Sequence, residues 1–278
     1  MLDEDVDSNF RGDCRHCFAL CCVMTTFAVS TDFAQSKPLG QPCPNLDPHF
    51  RCSIHASLRE RGYRGCTTYD CFGAGQHVSQ ITFDGIDWRD APDVATSMVR
   101  VFPVVRALHE QMVLLREALG HPLDLRLRRE LRDAFQRCAD RTHLPARDLE
   151  LLDVEPERRL VGNLLRRASL AVRTSAGHEL RDYERKDFAG ADLRGADLRG
   201  VNLRATTLLG ADLSRADLGM TDLLGADLRG ARLFGADLRR SLFVTEPQIA
   251  TADGDGDTLL PDQIRRPAHW LVRLRRPR

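Results

Sequence analysis

The fold of this chain is decided by residues 187–243, which read DFAGADLRGADLRGVNLRATTLLGADLSRADLGMTDLLGADLRGARLFGADLRRSLF. A large apolar residue recurs at every fifth position; it is Phe at the two ends and Leu in between: 188, 193, 198, 203, 208, 213, 218, 223, 228, 233, 238 and 243. The residue two places before each is mostly small, as at Ala191, Ala196 and Ala211. This period of five is neither the 3.6 of a helix nor the two of a flat strand.

A period of five predicts a square coil, in which the Leu fills the axis and the small residue lets the corner close. Four pentapeptides make one turn of twenty residues, and the backbone pairs with the next coil about 4.8 Å away. Each coil buries its apolar face only by stacking on a neighbour, so the segment is predicted to be a solenoid of three coils. The A(D/N)Lxx pattern closely resembles the pentapeptide-repeat family. That resemblance implies a right-handed quadrilateral β-helix over residues 181–246.

The charge and hydropathy of the chain limit its function. Forty basic and forty acidic residues give a formal net charge of zero, so the whole chain has no bias towards nucleic acid. No run of eighteen apolar residues is present, which argues against a membrane span. The N-terminus, MLDEDVDSNFRGD, is acidic and lacks the apolar core of a signal peptide. We therefore expect a cytoplasmic protein, in which disulfides are rare.

Eight of the nine cysteines lie close together in the N-terminal part: Cys14, Cys17, Cys21, Cys22, Cys43, Cys52, Cys66 and Cys71. The first four read C-R-H-C-F-A-L-C-C. On a helix, offsets 0, 3 and 7 share one face and offset 8 lies nearby. We therefore expect these four thiols to form one wall on a helical face, with the later four as an opposite wall.

Such a density of cysteine predicts a thiolate metal site. Soft thiolates select zinc, copper(I) or iron–sulfur clusters, and four suffice for zinc or for a [4Fe–4S] centre. Eight thiols allow two four-thiolate sites, or one cluster with spare cysteines; the cofactor is predicted as an Fe–S cluster or zinc. Buried free cysteine or disulfides are the alternative, because Cys packs as a small hydrophobe, but the density disfavours this interpretation. His16, His49 and His55 are possible further ligands, although ordinary polar histidines are the simpler interpretation.

These cysteine motifs are similar to those of a second known family. Cys14-x2-Cys17-x3-Cys21-Cys22, followed by Cys43-Pro-Asn-Leu and Cys52-Ser-Ile-His, resembles the CxxCxxxCC zinc- or iron-chelating domain, which includes flagellin N-methylase-like proteins. His55 stands where that family usually has Tyr, and the segment before Cys66 lacks its Pro. The resemblance implies metal binding. Methyl transfer does not carry over, because no nucleotide or methyl-donor pocket is readable.

The middle of the chain reads as helices. Asp90-Ala91-Pro92 predicts a helix start, Gly120 an end, and Pro103 a kink or a division between them. Apolar residues at helical spacing predict a second helix around residues 127–138 and a third from about 153 to 177. The architecture is thus predicted to be multidomain α+β: a cysteine-rich metal domain at 1–90, helices at 91–180, the β-helix at 181–246, and a cap with a basic tail at 247–278.

The charges and apolar residues on the surface of the solenoid indicate which kind of partner it can bind. Its outward positions are predicted to carry eight acidic and eight basic residues, among them Arg204 and Asp222, which disfavours a gyrase-binding DNA mimic and nucleic acid in general. Leu209, Leu224 and Phe234 should be exposed and are predicted to contact a protein partner or the chain's own helices. We therefore predict a cytosolic metal- or Fe–S-binding scaffold for protein interaction. An Fe–S-dependent redox or group-transfer, methylase-like enzyme is the alternative, although no Ser–His–Asp order, Walker loop, complete dinucleotide fingerprint or other catalytic set is present.

Overall fold

The computed structural model describes residues 10–175, 177 and 180–271 of the chain. Two compact units are present: Met1–Gly120 with Asp124–Leu165, and His121–Leu123 with Arg166–Arg278. The cysteines and most helices belong to the first unit, and the solenoid belongs to the second. Most of the predicted basic tail, from residue 272 on, lies outside the described residues, as does the acidic segment 1–9.

The helices of the first unit follow the predicted order, with several short additions. They are α1 (Leu20–Val23), a 3₁₀ turn (His55–Ser57), α2 (Arg64–Thr67), α3 (Ala74–His77) with a π-turn (Val78–Thr82), α4 (Pro92–Leu119), α5 (Leu125–Thr142), α6 (Ala146–Glu150) and α7 (Glu155–Ser175), whose second half belongs to the second unit. The three long helices confirm the helical middle. The short helix α6 was not predicted.

Helix α4 is the platform of the first unit. It starts at Pro92, as predicted, and runs through Pro103 without being divided. The apolar face around the proline is buried and packs against the cysteine-rich segment: Met98, Val101, Phe102 and Val105 of α4 share one core with Leu20, Val23, Ala74 and Val78. This burial stabilises the helical conformation on both sides of Pro103, which removes only one backbone donor.

The solenoid has the predicted register. Parallel bridges join residues that are twenty positions apart, from Asp182↔Asn202 through Asp222↔Leu242, with four bridges in each coil. The repeated Leu side chains from Leu198 to Leu238 are buried in one continuous core. Phe188 is only partly buried, because the first coil has a neighbour on one side only. The four-sided coil of twenty residues is confirmed.

The Asp before each Leu has a structural role. In Asp192-Leu193-Arg194, the Asp192 carboxylate accepts the backbone N–H of Arg194 at 3.3 Å, and the same contact recurs at Asp227 and Asp237. The residue after each such turn takes a left-handed φ, 63° at Gly195 but also 53° at Ala205. The left-handed region disfavours any residue with a Cβ, so glycine is common at this corner.

This corner gives a reciprocal prediction. Ala205→Gly should raise the free energy of unfolding by about 1 kcal/mol, because it relieves a left-handed alanine, and Gly195→Ala should lower it by a similar amount. Both sites allow the change, since Ala205 is exposed and a Cβ at Gly195 would meet nothing within 4 Å. Urea unfolding of the two variants measures the difference. Shifts of the same sign would contradict the corner assignment.

The end of the solenoid differs from the prediction that the β-helix ends at residue 246. Helix α8 (Glu246–Thr251) interrupts the repeat, and the chain then returns to the wall. Asp253 pairs with Arg232 and Leu259 with Asp237, both in parallel. Backbone pairing does not require a repeating side-chain pattern. Asp253 and Leu259 therefore extend the coil although they follow their partners by 21 and 22 residues, and not by the 20 of the repeat.

The last described residues cover the open end, as predicted. The Trp270 indole N–H donates to the Ala252 carbonyl at 2.9 Å, and its ring packs onto the solenoid core. The Asp255 carboxylate accepts the backbone N–H groups of Gly235 and Thr258. The Asp253–Asp257 segment therefore forms a turn that is hydrogen-bonded to the coil.

Candidate functional site

The first cysteine motif is not one helical face. Residues 14–17 lie in turns, and only Leu20–Val23 is helical. Ala19 at the start of α1 has φ 55°, a left-handed conformation that a continuous right-handed helix cannot contain. The predicted helical wall of Cys14, Cys17, Cys21 and Cys22 is therefore wrong, and loops position these thiols instead.

The loops nevertheless bring the predicted cysteines near one another. The sulfur atoms of Cys21 and Cys22 are 3.9 Å apart. Cys71 and Cys22 lie close enough to Cys14 to add to the rise in its pKa that burial causes. All nine cysteines lie in the described part of the chain and are free thiols. Within residues 10–175, 177 and 180–271, no three His, Cys, Asp or Glu side chains are arranged closely enough to hold a metal ion.

Backbone groups approach the thiols of Cys17 and Cys71. Burial raises the pKa of Cys71, and the N–H groups of Gly75 and Gly73 oppose that rise by donating towards its sulfur. A Cβ at Gly75 would lie 2.6 Å from the sulfur of Cys17, so only glycine fits at this position. Gly73 thus starts α3 in a left-handed conformation, and the first turn of this helix passes two thiols.

Backbone hydrogen bonds tie a second set of cysteines together. The Cys43 N–H donates to the Cys22 carbonyl at 2.9 Å, and Leu46 forms an antiparallel bridge with Cys52. The side-chain amide of Asn45 donates to the Cys43 sulfur at 3.8 Å. Burial raises the pKa of Cys66 to about 12, and the nearby thiols of Cys22, Cys43 and Cys52 act in the same direction.

Lys37 is a buried cation beside this second set, and sequence reasoning missed it. Only 3% of the residue is exposed. Its ammonium donates to four backbone carbonyls, three of which lie at 2.9–3.1 Å: those of Val23, Pro38, Gln41 and, as a shorter contact, Thr25. Burial lowers the pKa of Lys37, and the thiols of Cys43 and Cys22 oppose this most strongly. A positive charge is thus held against the cysteines.

One signal in the sequence could have identified Lys37. The chain has forty basic residues, of which only Lys37 and Lys186 are lysine. A compact ammonium with three rotatable donors suits a cage of carbonyls, whereas the planar guanidinium of arginine does not.

The three histidines that were predicted as possible further ligands are exposed. His16 forms a hydrogen bond with Asp13 at 2.8 Å, and His49 and His55 also face solvent.

A separate cluster of histidines lies in the first unit. The rings of His109 and His143 lie 5.0 and 5.3 Å from that of His77. His109 Nδ1 donates to the Phe72 carbonyl at 2.7 Å, and His77 Nε2 donates to the Thr142 carbonyl at 2.9 Å. Burial lowers the pKa of His109 to about 4, and the neighbouring histidines act in the same direction.

This cluster predicts acid sensitivity. The unfolded state takes up protons near pH 6.5, whereas folded His109 resists protonation down to about 4. Neutral His109 therefore contributes to the free energy of unfolding above pH 6.5, and this contribution is lost as the pH falls towards 4. The loss is on the order of 3 kcal/mol. His109→Gln, which can still donate to Phe72, should flatten the stability profile in this window. An unchanged profile in that variant would contradict the assignment.

The wall of the solenoid carries paired charges. Asp192–Arg194, Asp197–Arg199, Asp227–Arg229 and Asp237–Arg239 form ion pairs of 2.6–2.7 Å. Asp197, Asp217 and Asp237 stack in one column through successive bridges. The four ion pairs place an arginine beside an aspartate, so opposite charges lie next to each other on the wall.

Two charged residues of the solenoid are not on its outer surface, contrary to the prediction. The side chains of Arg204 and Asp222 are 8% and 1% exposed and lie 3.1 Å apart. Arg173, on the second half of α7, is also buried and donates to the Gly200 carbonyl at 3.3 Å. This end of the helix lies over one wall of the solenoid. It therefore buries Arg204 and Asp222, although the repeat pattern directs both side chains away from the solenoid axis.

The predicted partner-binding residues are unequally exposed. Leu209 is 45% exposed. Leu224 and Phe234 are half-buried, contrary to the expected full exposure, and the guanidinium of Arg232 lies 5.5 Å above the Phe234 ring. Leu209 is therefore the most accessible of the three.

Comparisons with known proteins place the chain in a family. The family described as Pentapeptide repeats matches residues 187–219 and 208–243, with eight copies of the repeat. The Bacillus subtilis (strain 168) protein named Uncharacterized protein YybG is 50% identical over 272 residues, which is 97% of this chain and 98% of YybG. The chain belongs to the pentapeptide-repeat family. The matched repeats lie in the solenoid of this pentapeptide-repeat protein. The resemblance of its cysteine region to the CxxCxxxCC domain therefore stays a prediction.

Solved pentapeptide repeat proteins resemble part of the chain. One from Nostoc Pcc 7120 is 35% identical with a TM-score of 0.27, and the match covers 35% of this chain and 87% of that one. One from the Arabidopsis thaliana thylakoid lumen is 33% identical with a TM-score of 0.17, covering 30% and 56%. Among the described residues of this pentapeptide-repeat protein, no helix has the length and apolar character that crossing a membrane requires.

Proposed function

We propose that this pentapeptide-repeat protein is a thiolate metal-binding scaffold, whose cysteine-rich segment holds zinc or an iron–sulfur cluster and whose solenoid contacts a protein partner. The observation that carries the metal part is that each of the eight clustered cysteines lies near at least one other of the set: Cys14, Cys17, Cys21, Cys22, Cys43, Cys52, Cys66 and Cys71. We further propose a cytoplasmic location, because free thiols persist in a reducing compartment.

The donor set fits a thiophilic metal. Two thiolates about 2.3 Å from one tetrahedral zinc lie about 3.8 Å apart, which is close to the 3.9 Å between Cys21 and Cys22. Binding requires further sulfur atoms to close onto the ion. Most of the cysteines lie in loops and short turns, outside the long helices.

The surroundings of the thiols favour a bound thiolate centre. Backbone N–H groups directed at sulfur, such as those of Gly73 and Gly75, stabilise negative thiolate charge. The caged ammonium of Lys37 offsets part of the charge that four thiolates leave on a divalent ion. The bound group would supply a rigid cross-link between loops, which a small cysteine-rich fold needs.

The solenoid suits a protein partner better than a nucleic-acid target. Four wall carboxylates, those of Asp192, Asp197, Asp227 and Asp237, are each paired with an arginine two residues later, so the opposite charges cancel locally. A DNA mimic needs an extended negative field. We therefore propose that Leu209 marks the partner surface, and we do not expect gyrase to bind.

Metal analysis of two glycine variants tests this function. Full-length protein purified without oxygen should carry zinc or iron, and Gly75→Ala should lose most of it because the new Cβ displaces the Cys17 thiol. Gly162→Ala is the matched control, since a Cβ there meets nothing within 4 Å. Elemental analysis provides the metal content, and visible absorbance separates an iron–sulfur cluster from zinc. Wild-type protein without metal would overturn the proposal.

A further inference from the structure

Four backbone carbonyls from two separate segments converge on the ammonium of Lys37. Those of Val23 and Thr25 belong to the end of α1 and the residues after it, and those of Pro38 and Gln41 belong to the loop that follows Lys37. Three of the oxygens lie 2.9–3.1 Å from the nitrogen, and the Thr25 oxygen makes a shorter contact. These four carbonyls form the Lys37 cage. An ammonium has only three N–H groups, so the cage offers more acceptors than the side chain has donors.

The cage has the chemistry of a site for a monovalent cation. Backbone carbonyl oxygens can replace the hydration shell of potassium, and a lysine ammonium is a compact point charge of the same sign. Only 3% of Lys37 is exposed, so water does not share this role. The backbones of Lys37 and Phe27 form an antiparallel bridge, and the Phe27 ring lies 5.5 Å from the ammonium. Lys37 is thus a cation tethered at a fixed point of the chain.

The cage joins the two segments that carry Cys22 and Cys43. Val23 directly follows Cys22, and Gln41 precedes Cys43 by two residues. Between the same segments, the Cys43 N–H donates to the Cys22 carbonyl at 2.9 Å, and the Gly40 N–H donates to the Val23 carbonyl at 3.0 Å. Without a cation, the cage oxygens would face one another without a donor at their centre. Buried polar groups without partners are costly, so the two segments should then separate.

We propose that Lys37 is a positioning residue, whose ammonium serves as a built-in monovalent cation that holds the segments of Cys22 and Cys43 together. Once the lysine side chain is removed, the cage should accept potassium or ammonium in its place. The cage itself does not require a bound metal. Its role in spacing two metal ligands rests on the proposed thiolate metal binding, and it names what sets that spacing.

Chemical rescue of Lys37→Ala tests the proposal. The full-length variant is kept with a chelator in a buffer whose only added cation is tetramethylammonium, and iodoacetamide labelling of Cys22 and Cys43 is followed by mass spectrometry. Both thiols should react roughly tenfold faster than in wild type, because the loss of hydrogen bonds to a buried charge opens the segments locally. Potassium or ammonium chloride should restore the slow rate. Tetramethylammonium is larger and has no N–H group, so it should not.

Two further variants separate the charge of Lys37 from its packing. Lys37→Met keeps an unbranched apolar side chain but has no donor, so both thiols should react fast, and potassium should have no effect because the side chain fills the cage. Lys186→Ala changes the other lysine of the chain, which is exposed, and should react as wild type does. Slow labelling of Lys37→Met, or fast labelling of Lys37→Ala that neither potassium nor ammonium reverses, would overturn the proposal.

Reductive methylation of the wild type keeps the test decisive if the variants do not fold. Lys37 and Lys186 are the only lysines of the chain, so the products are simple to assign. In the folded full chain Lys186 should be methylated and Lys37 protected, whereas urea should make both reactive; equal methylation in the folded chain would refute the cage. Rescue in a protein that binds no metal supports the cage and overturns the proposed function. Metal-loaded protein without rescue does the opposite.

Discussion

Leu213→Asp should abolish cooperative folding of the solenoid. Leu213 is fully buried in the axis, and the wall residue Asp212 beside it is bridged to coils on both sides. A carboxylate without a partner in this core costs several kcal/mol, which is comparable with the whole stability of a typical domain. Thermal unfolding of the full chain, followed by far-ultraviolet circular dichroism, should lose the transition of the second unit.

The control applies the same substitution at the surface. Leu209 is 45% exposed, so Leu209→Asp places its charge in water. It should leave the melting temperature almost unchanged. Equal melting shifts for the two variants would mean that the inward and outward registers have been misassigned.

Asp222→Asn should destabilise the second unit by about 3–5 kcal/mol, because it leaves buried guanidinium charge without its carboxylate. Asp222 lies 3.1 Å from Arg204, and its charge also opposes the lowering of the pKa of Arg173 that burial causes. Asn keeps the side-chain oxygen that accepts the Leu224 N–H, so the turn itself is preserved. Urea unfolding gives the free-energy difference.

The matched variant is Asp192→Asn. Asp192 makes the same turn contact, but its ion pair with Arg194 is exposed to solvent, where such pairs contribute little. Its unfolding midpoint should barely move. A large shift for Asp192→Asn, or none for Asp222→Asn, would refute the claim that α7 makes the difference between the two walls.

The solenoid could be predicted because its period is a local property of the sequence. A Leu every fifth residue fixes the inward face, and stacking then fixes the bridges at twenty residues, as in Asp197↔Asp217. The return of Asp253 and Leu259 to the wall could not be predicted in the same way. It depends on backbone pairing after α8, which leaves no repeating side-chain pattern.

The burial of Arg204 and Asp222 has a different cause. Their repeats look like the others, and only the covering of one wall by the end of α7 makes them interior. Such coverage is a long-range contact that a local pattern does not encode. Sequence alone therefore predicts where side chains point on the coil but not which wall is covered.

The cysteine region was predictable in composition and not in conformation. Residue spacing identified the thiols, but the left-handed Ala19 breaks the expected helix and changes which thiols become neighbours. Lys37 was missed because a single lysine in a loop carries no pattern. Its cage of carbonyls becomes visible only when Val23, Thr25 and Gln41 are brought together.

X-ray absorption at the metal edge of the purified full chain tests the central claim most directly. We expect the metal to be coordinated by sulfur only, at about 2.3 Å for zinc, with four sulfur atoms per ion. The same coordination shell should persist in Cys138→Ser, because Cys138 is a buried residue of helix α5 and not one of the eight proposed ligands. A shell of nitrogen or oxygen, or protein that carries no metal, would contradict it.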